Sequence, residues 1–561
     1  DRLDDDGLEE PARRQTEDDG GQEGREKGRR EEGGRQGQEK GEREIAVVLT
    51  ADGRRRREEV VNRFLLPRDA DENTLGEGVR GDLRVVLGPA ADLTVTYLDT
   101  FDWRLHRAGL VLTEELGRGR RLVLLRDGRE PYSVAIRQPP RSASDLPTGH
   151  LADLVGPILG IRALIPVGRT VVTRRNGRVE DSAGNLAALL RLEDATPLDL
   201  EGGPSAAATR SLGISEPGVL SRTFDTAPDH DLVTAAAARG RSPRDYSSKI
   251  GTDLKPDWPA SESVRAILLD LFDTLEANID GTTADTDTEF LHDLRVACRR
   301  TRSALTQLKS ALPPTLADPY KDEFKWLGTV TGPLRDLHVF ELEMPAYRAM
   351  LPGDAANDLA PLEVLIGRES RRAHRAVTRA LRSQRFAHLR RSWRRALEDR
   401  APSAGRDAGA RTRDLAATRI AKAYRRIVKK GHCFGVDPPA EALHRLRIEA
   451  KKLRYLLEFF KSLYPEPEID TRIKELKQLQ DILGGFNDME VQRGRLIGFA
   501  NDLHADPDVS TASLLAIGRL TGALEDRQER FRLAFHDAFV RFSGTEVSGA
   551  YDRLFGDKEP L

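Results

Sequence analysis

His292, Arg295, Arg299 and Arg302 follow one another at spacings of three, four and three residues. At about 100° per residue, such positions fall within an arc of about 80° on an α-helix, so the four side chains share one face. Leu291, Leu294, Cys298, Thr301 and Leu305 fall on the opposite face. Four aligned side chains able to carry positive charge repel one another. Asp293 lies outside their arc. An anionic partner would offset that repulsion. Arginine suits such a partner, because its planar guanidinium forks onto two phosphate oxygens, while lysine adds point charge.

The pattern occurs twice. His444, Arg447, Lys451 and Arg454 repeat it at an offset of 444 − 292 = 152 residues, against Leu443, Leu446, Leu453 and Leu457, and Glu449 is again outside the arc. Gly332-Pro-Leu-Arg-Asp336 and Gly484-Gly-Phe-Asn-Asp488 match at the same offset, 488 − 336 = 152. Two matches in one register indicate duplication, each half a similar helical unit. Arg300 and Lys452 adjoin the stripes. Between the copies, Arg368–Arg395 holds 11 Arg and one Glu, and Arg411–Lys430 holds 8 Lys or Arg and one Asp. Arg371, Arg375 and Arg379 keep helical spacing there, and Lys422, Arg425 and Arg426 add to the charge. Together these residues are the candidate polyanion contacts.

Other chemistries fit less well. A metal ion at His292 or His444 would be repelled by the surrounding arginines, and neither helix offers a second His or Cys at ligand spacing. A phosphohistidine is a further reading of the same two residues. Cys298 falls on the apolar face, as a buried small hydrophobe does, rather than as a nucleophile. Asp336 and Asp488 could form a carboxylate pair, but orienting an arginine or capping a helix also accounts for them. No glycine-rich phosphate loop, Ser-His-Asp order or paired-metal signature stands out. No catalytic residue, metal site or cofactor is expected.

The elements that position these residues follow from the rest of the chain. Its 561 residues allow three or four domains at about 150 residues each. The 89 Lys and Arg against 91 Asp and Glu give a net charge of −2, which hides the uneven distribution. Two cysteines exclude a disulfide scaffold and a multi-cysteine zinc domain. No apolar run approaches the roughly 18 residues of a membrane span, and no signal-peptide core opens the chain, so a soluble intracellular protein without membrane contact is expected. Residues 1–43 contain 15 acidic and 10 basic residues and almost nothing apolar, which predicts a disordered charged tail, extended here over 1–56. Short β-prone runs recur from Val60–Leu66 to Leu186–Leu192, with Asp127-Gly128 and Asn176-Gly177 as turn signals, so 57–230 reads as an antiparallel β-barrel or sandwich. A linker is expected over 231–258, helices with two similar halves over 259–545, and a C-terminal tail over 546–561. The fold class is therefore multidomain α+β.

The two His-x-x-Arg stripes, the Gly-Pro-Leu-Arg335-Asp336 segment and Leu479-Gln-Asp-Ile-Leu-Gly484 resemble the CHAD domain, over about half the chain. That family consists of two similar helical halves and binds inorganic polyphosphate along a basic, pore-like surface. The resemblance implies phosphate contacts at Arg295, Arg299, Arg302, Arg447, Lys451 and Arg454, with hydrogen bonds from His292 and His444. A cytoplasmic setting is expected, with association with polyphosphate granules left open, and nucleic acid is expected only as a nonspecific ligand if at all. The β-rich half resembles the CYTH, or triphosphate-tunnel, fold through Val95-Thr-Tyr97-Leu-Asp99-Thr-Phe-Asp102-Trp-Arg104. Where that family carries Glu-x-Glu-x-Lys, this chain reads Glu59-Val-Val61-Asn-Arg63, and Thr113-Glu114-Glu115 stands where basic residues are usual. One strand carboxylate is a poor cage for a divalent cation. A degenerate, inactive tunnel domain is expected; a metal-dependent triphosphatase using this half is the alternative.

Overall fold

The computed structural model describes residues 62–70, 72–126, 129–206, 208–221, 225, 230–399, 405–435 and 438–556. The tail expected over 1–56, Glu59, Val61 and the Asp127-Gly128 turn lie outside them. The chain divides near Ser247 into a β unit and a helical unit.

In the β unit the elements run β1 (Asn62–Leu66), α1 (Glu72–Glu77), β2 (Arg84–Asp99), α2 (Arg104–Arg107), β3 (Leu110–Leu116), β4 (Arg120–Arg126), β5 (Arg129–Ala135), α3 (His150–Leu159), β6 (Ile165–Glu180), β7 (Leu186–Pro197), β8 (Thr209–Ile214) and α4 (His230–Ala237). The eight strands form one antiparallel sheet in the order β1-β8-β7-β6-β2-β3-β4-β5. The expected barrel is not closed: among the described residues, edge strands β1 and β5 do not pair. Arg84–Leu87 and Leu93–Leu98 belong to one long strand, β2, whose pairing with β6 shifts register between Leu87 and Ala90. Asn176-Gly177 is not a turn but the middle of β6. A Cβ on Gly177 would sit 2.6 Å from the Val86 carbonyl oxygen, so glycine serves close backbone approach there. Residues 231–247, expected to open a linker, fold with the sheet: α4 buries Leu232, Ala235 and Ala236 beside Val167 and Val172 of β6.

The helical unit runs α5 (Ala260–Ala277), α6 (Ile279–Thr283), α7 (Thr288–Gln307), α8 (Pro314–Ala349), α9 (Ala360–Leu381), α10 (Gln384–Glu398), α11 (Thr412–His432), α12 (Ala440–Phe459), α13 (Glu466–His504), α14 (Thr511–Ser543) and α15 (Thr545–Phe555). The repeat is visible in its boundaries. Helices α5 and α11 begin at 260 and 412, α7 and α12 at 288 and 440, α8 and α13 at 314 and 466, each pair 152 residues apart. Equivalent residues also meet: Pro259 bridges Arg411, Ala260 N donates to Ala410 O at 2.8 Å, and Thr412 N donates to Trp258 O at 2.9 Å. That reciprocity is what a local two-fold axis between the halves requires. Leu291, Leu294, Cys298, Leu305, Leu443, Leu446, Leu453 and Leu457 all enter the common core, as their spacing predicts. Residues 546–555, expected as tail, belong to α15, which buries Tyr551 and Phe555 in that core.

Candidate anion-binding site

Helices α7 and α12 turn their apolar faces into the core, so their basic stripes face outward from it. Asp287 fixes the start of α7, its carboxylate accepting from Glu289 N at 2.9 Å and Phe290 N at 3.3 Å. The stripes line a groove of about 380 Å³ with α13. Its walls carry His292, Arg299 and Arg300 from α7, Arg447, Lys451 and Arg454 from α12, and Lys249 and Lys477. The acids on it are Asp293, Asp481 and Asp488. A neighbouring cavity of about 270 Å³ shares Arg299, Lys451 and Tyr455 with the groove and adds Arg302, Lys321, Lys325 and Lys452 against one acid, Asp322. A smaller, more enclosed pocket beside the groove is lined by His292, Arg295, Arg299, Arg335, Asp336 and Arg495.

The arginines are held by hydrogen bonds that also set their charge balance. Arg295 Nη1 donates to neutral acceptors on α8, Gly328 O at 2.7 Å and Thr331 Oγ1 at 2.9 Å. Burial and the like charges of Arg299 and Arg335 push its pKa down to about 10, against the pull of Asp336. Positive charge is thus concentrated at this point. Arg447, at the equivalent place in the second copy, is buried and pairs with Asp488 Oδ1 at 3.1 Å. His444 Nδ1 is 2.6 Å from Asn487 Oδ1, which orients the ring.

Two acids, Glu458 and Glu449, tie the basic residues together. Glu458 takes Arg300 Nη2 at 2.7 Å on one oxygen and Arg454 Nε at 2.7 Å on the other, linking α7 to α12. Although burial opposes it, this pairing keeps the Glu458 pKa low. Buried Glu449 faces Lys430 at 2.8 Å, Arg426 at 3.1 Å and Lys452 at 3.8 Å.

The structure therefore gathers His292, Arg295, Arg299, Arg300, Arg302, Arg447, Lys451, Lys452 and Arg454 around connected cavities. It places Arg371, Arg375 and Arg379 exposed on α9, and Lys422, Arg425 and Arg426 exposed on α11; none of these six lines the groove or its two neighbours. Cys298 is buried on the apolar face, and burial pushes its thiol up to about 11, so it stays protonated. Lys249, Lys321, Lys325, Lys477 and Gln480 line the cavities without having stood out in the sequence. The repeat held a signal for two of them, since 477 − 325 = 152.

Residues 266–497 match the CHAD domain. An uncharacterized protein of Mycobacterium tuberculosis is 26% identical over 477 residues, covering 79% of this chain and 88% of that protein. The crystal structure of the CHAD domain from the plant Ricinus communis is 26% identical, covers 52% of this chain and 96% of its own, and superposes with a TM-score of 0.44. PptA from Streptomyces chartreusis is 18% identical, with coverages of 50% and 99% and a TM-score of 0.40.

Proposed function

We propose that this chain, whose residues 266–497 match the CHAD domain, binds inorganic polyphosphate along the groove between α7 and α12. The observation that carries the reading is the groove's own charge. Seven lysines and arginines converge on it, from Lys249 to Lys477, with three aspartates among them. A polyanion laid there replaces repulsion between cations with forked contacts to phosphate oxygens. A long chain fills more of these sites than a short one, and it releases more counterions as it binds, so affinity falls with added salt as it does for nucleic acids. Among the described residues that line the groove, Tyr455 is the one aromatic, a poor platform for stacked bases. Nucleic acid is accordingly a weak competitor in this reading.

The β unit is assigned a CYTH-like, non-catalytic role in the same proposal. Its interior carboxylates Glu115 and Glu193 are each engaged by arginine, Glu115 by Arg174 at 2.8 Å and Glu193 by Arg63 at 2.6 Å. Carboxylates spent in this way are poor ligands for a divalent ion.

The test is a titration of the full chain with long-chain polyphosphate at two salt concentrations, with duplex DNA of matched charge as competitor. Tight, salt-sensitive binding that DNA fails to displace is the expected result. Equal binding of DNA would reduce the groove to a general polyanion surface, and absence of binding to either would overturn the reading. Metal-dependent phosphate release from tripolyphosphate, lost on changing Glu59, would instead establish the β unit as an enzyme.

A further inference from the structure

The interior of the β unit contains an unbroken chain of opposite charges. Arg121 Nε donates to Glu115 Oε2 at 2.8 Å, and Arg174 grips both oxygens of Glu115 at 2.8 Å. Arg174 Nε also reaches Glu193 Oε1 at 2.5 Å, and Glu193 Oε2 accepts from Arg63 Nη2 at 2.6 Å. The chain ends where Arg63 Nη2 donates to Asp231 Oδ2. In this chain of charges three arginines face three carboxylates, and a fourth arginine, Arg191, lines the interior cavity of about 40 Å³ that Arg63, Arg174 and Asp231 share. Five of the six members belong to strands; Asp231 alone comes from a helix, α4.

Asp231 is held as a bound anion would be. One oxygen takes the Arg63 guanidinium, and the other takes the Thr209 hydroxyl at 3.1 Å. Ser211 Oγ stands within 3.1 Å of the same Arg63 nitrogen. A guanidinium with hydroxyls around it is a donor set for a small tetrahedral oxyanion. The helix that delivers the carboxylate is seated firmly. Ala235 packs on Gly168 of β6, where a Cβ would come within 2.7 Å of the Ala235 Cβ. Buried Tyr97 lines the same cavity and keeps its phenolic proton, because burial and the nearby carboxylates hold its pKa far above the usual range.

We infer that Asp231 is the resident anion of an oxyanion site in the β unit, occupying from within the chain the place that inorganic phosphate would take beside Arg63, Thr209 and Ser211. With Asp231 present, its carboxylate takes the Arg63 and Thr209 donors that phosphate would use. Without its carboxylate, Arg63 shares Glu193 with Arg174, and the positive charge of the buried space rises by one. The inference concerns the β unit alone and stands whether or not the helical groove binds polyphosphate.

The test compares the full-length wild type, Asp231→Ala, and the double variant Asp231→Ala with Arg63→Met, each titrated with orthophosphate at constant ionic strength by calorimetry and by thermal unfolding. Any phosphate bound in the helical groove is common to all three. Asp231→Ala is expected to bind orthophosphate at least tenfold more tightly than either of the others and to rise in Tm with it. A folded Asp231→Ala with wild-type affinity overturns the inference, as does a wild type that already binds through Arg63. If Asp231→Ala does not fold in chloride, refolding yield is measured in phosphate and in chloride, with Asp231→Asn alongside. Recovery specific to phosphate supports the resident-anion role, and equal failure in both salts overturns it.

Discussion

Arg295 and Arg447 occupy the same position in the two repeats and do different work. Arg447 is almost fully buried and pairs with Asp488; Arg295 is held by the Gly328 carbonyl and the Thr331 hydroxyl, while Asp336 accepts from Arg495 at 2.7 Å. Removing Arg447 strands a buried carboxylate, a loss of about 3–5 kcal/mol. Removing Arg295 relieves a repulsion and leaves neutral acceptors behind. Arg447→Gln is therefore expected to lower stability by that amount in denaturant unfolding. Arg295→Gln should fold nearly as well as wild type yet bind polyphosphate about tenfold more weakly, the worth of one charged hydrogen bond. Equal unfolding midpoints for the two variants would contradict the division. The sequence shows both stripes but not this difference. The Arg447 partner lies 41 residues away on another helix, and Gly328, whose carbonyl fixes Arg295, has no side chain to signal the contact.

At the scale of elements, the halves of the helical unit were legible because duplication prints the same helix starts twice. The β unit was less so. Glycine marks both turns and close approaches, and in Asn176-Gly177 the second use prevailed, since β2 passes close over it. The same physics governs two helix crossings. Gly485 sits in α13 where a Cβ would lie 2.3 Å from the Phe531 ring of α14, and Gly431 in α11 where one would lie 2.0 Å from the Phe539 ring. Helix propensity favours alanine over glycine by roughly 1 kcal/mol at such positions. Packing reverses the sign here, because a methyl group must push an aromatic ring out of the core. Gly485→Ala and Gly431→Ala are each expected to lose about 1–3 kcal/mol in chemical unfolding. A gain in stability from either would show that the crossing helices have room to shift. Gly484, one residue from Gly485, has no atom within 4 Å of such a Cβ, so Gly484→Ala is the matched control and should be neutral or stabilising.

Taken whole, a chain with net charge −2 contains two units that treat charge in opposite ways. The helical unit leaves cations in excess along its groove, an arrangement suited to a polyanion from outside. The β unit pairs its interior charges among themselves, which makes its stability answer to protons. Burial opposes ionisation of Glu115, but Arg174 and Arg121 overcome it and hold the carboxyl at about 2. An unfolded glutamate titrates near 4.3, so the unfolded chain takes up this proton first as pH falls. Stabilisation from Glu115 is therefore complete above about pH 5 and drains away toward pH 2, a change on the order of a few kcal/mol. Glu115→Gln removes the titrating group. It is expected to be less stable than wild type at pH 7, by thermal unfolding of the β unit, and to lose less further stability between pH 5 and 3. Parallel pH profiles for the two proteins would mean that acid acts elsewhere, at Glu193 or Asp102, whose pKa values arginines also lower.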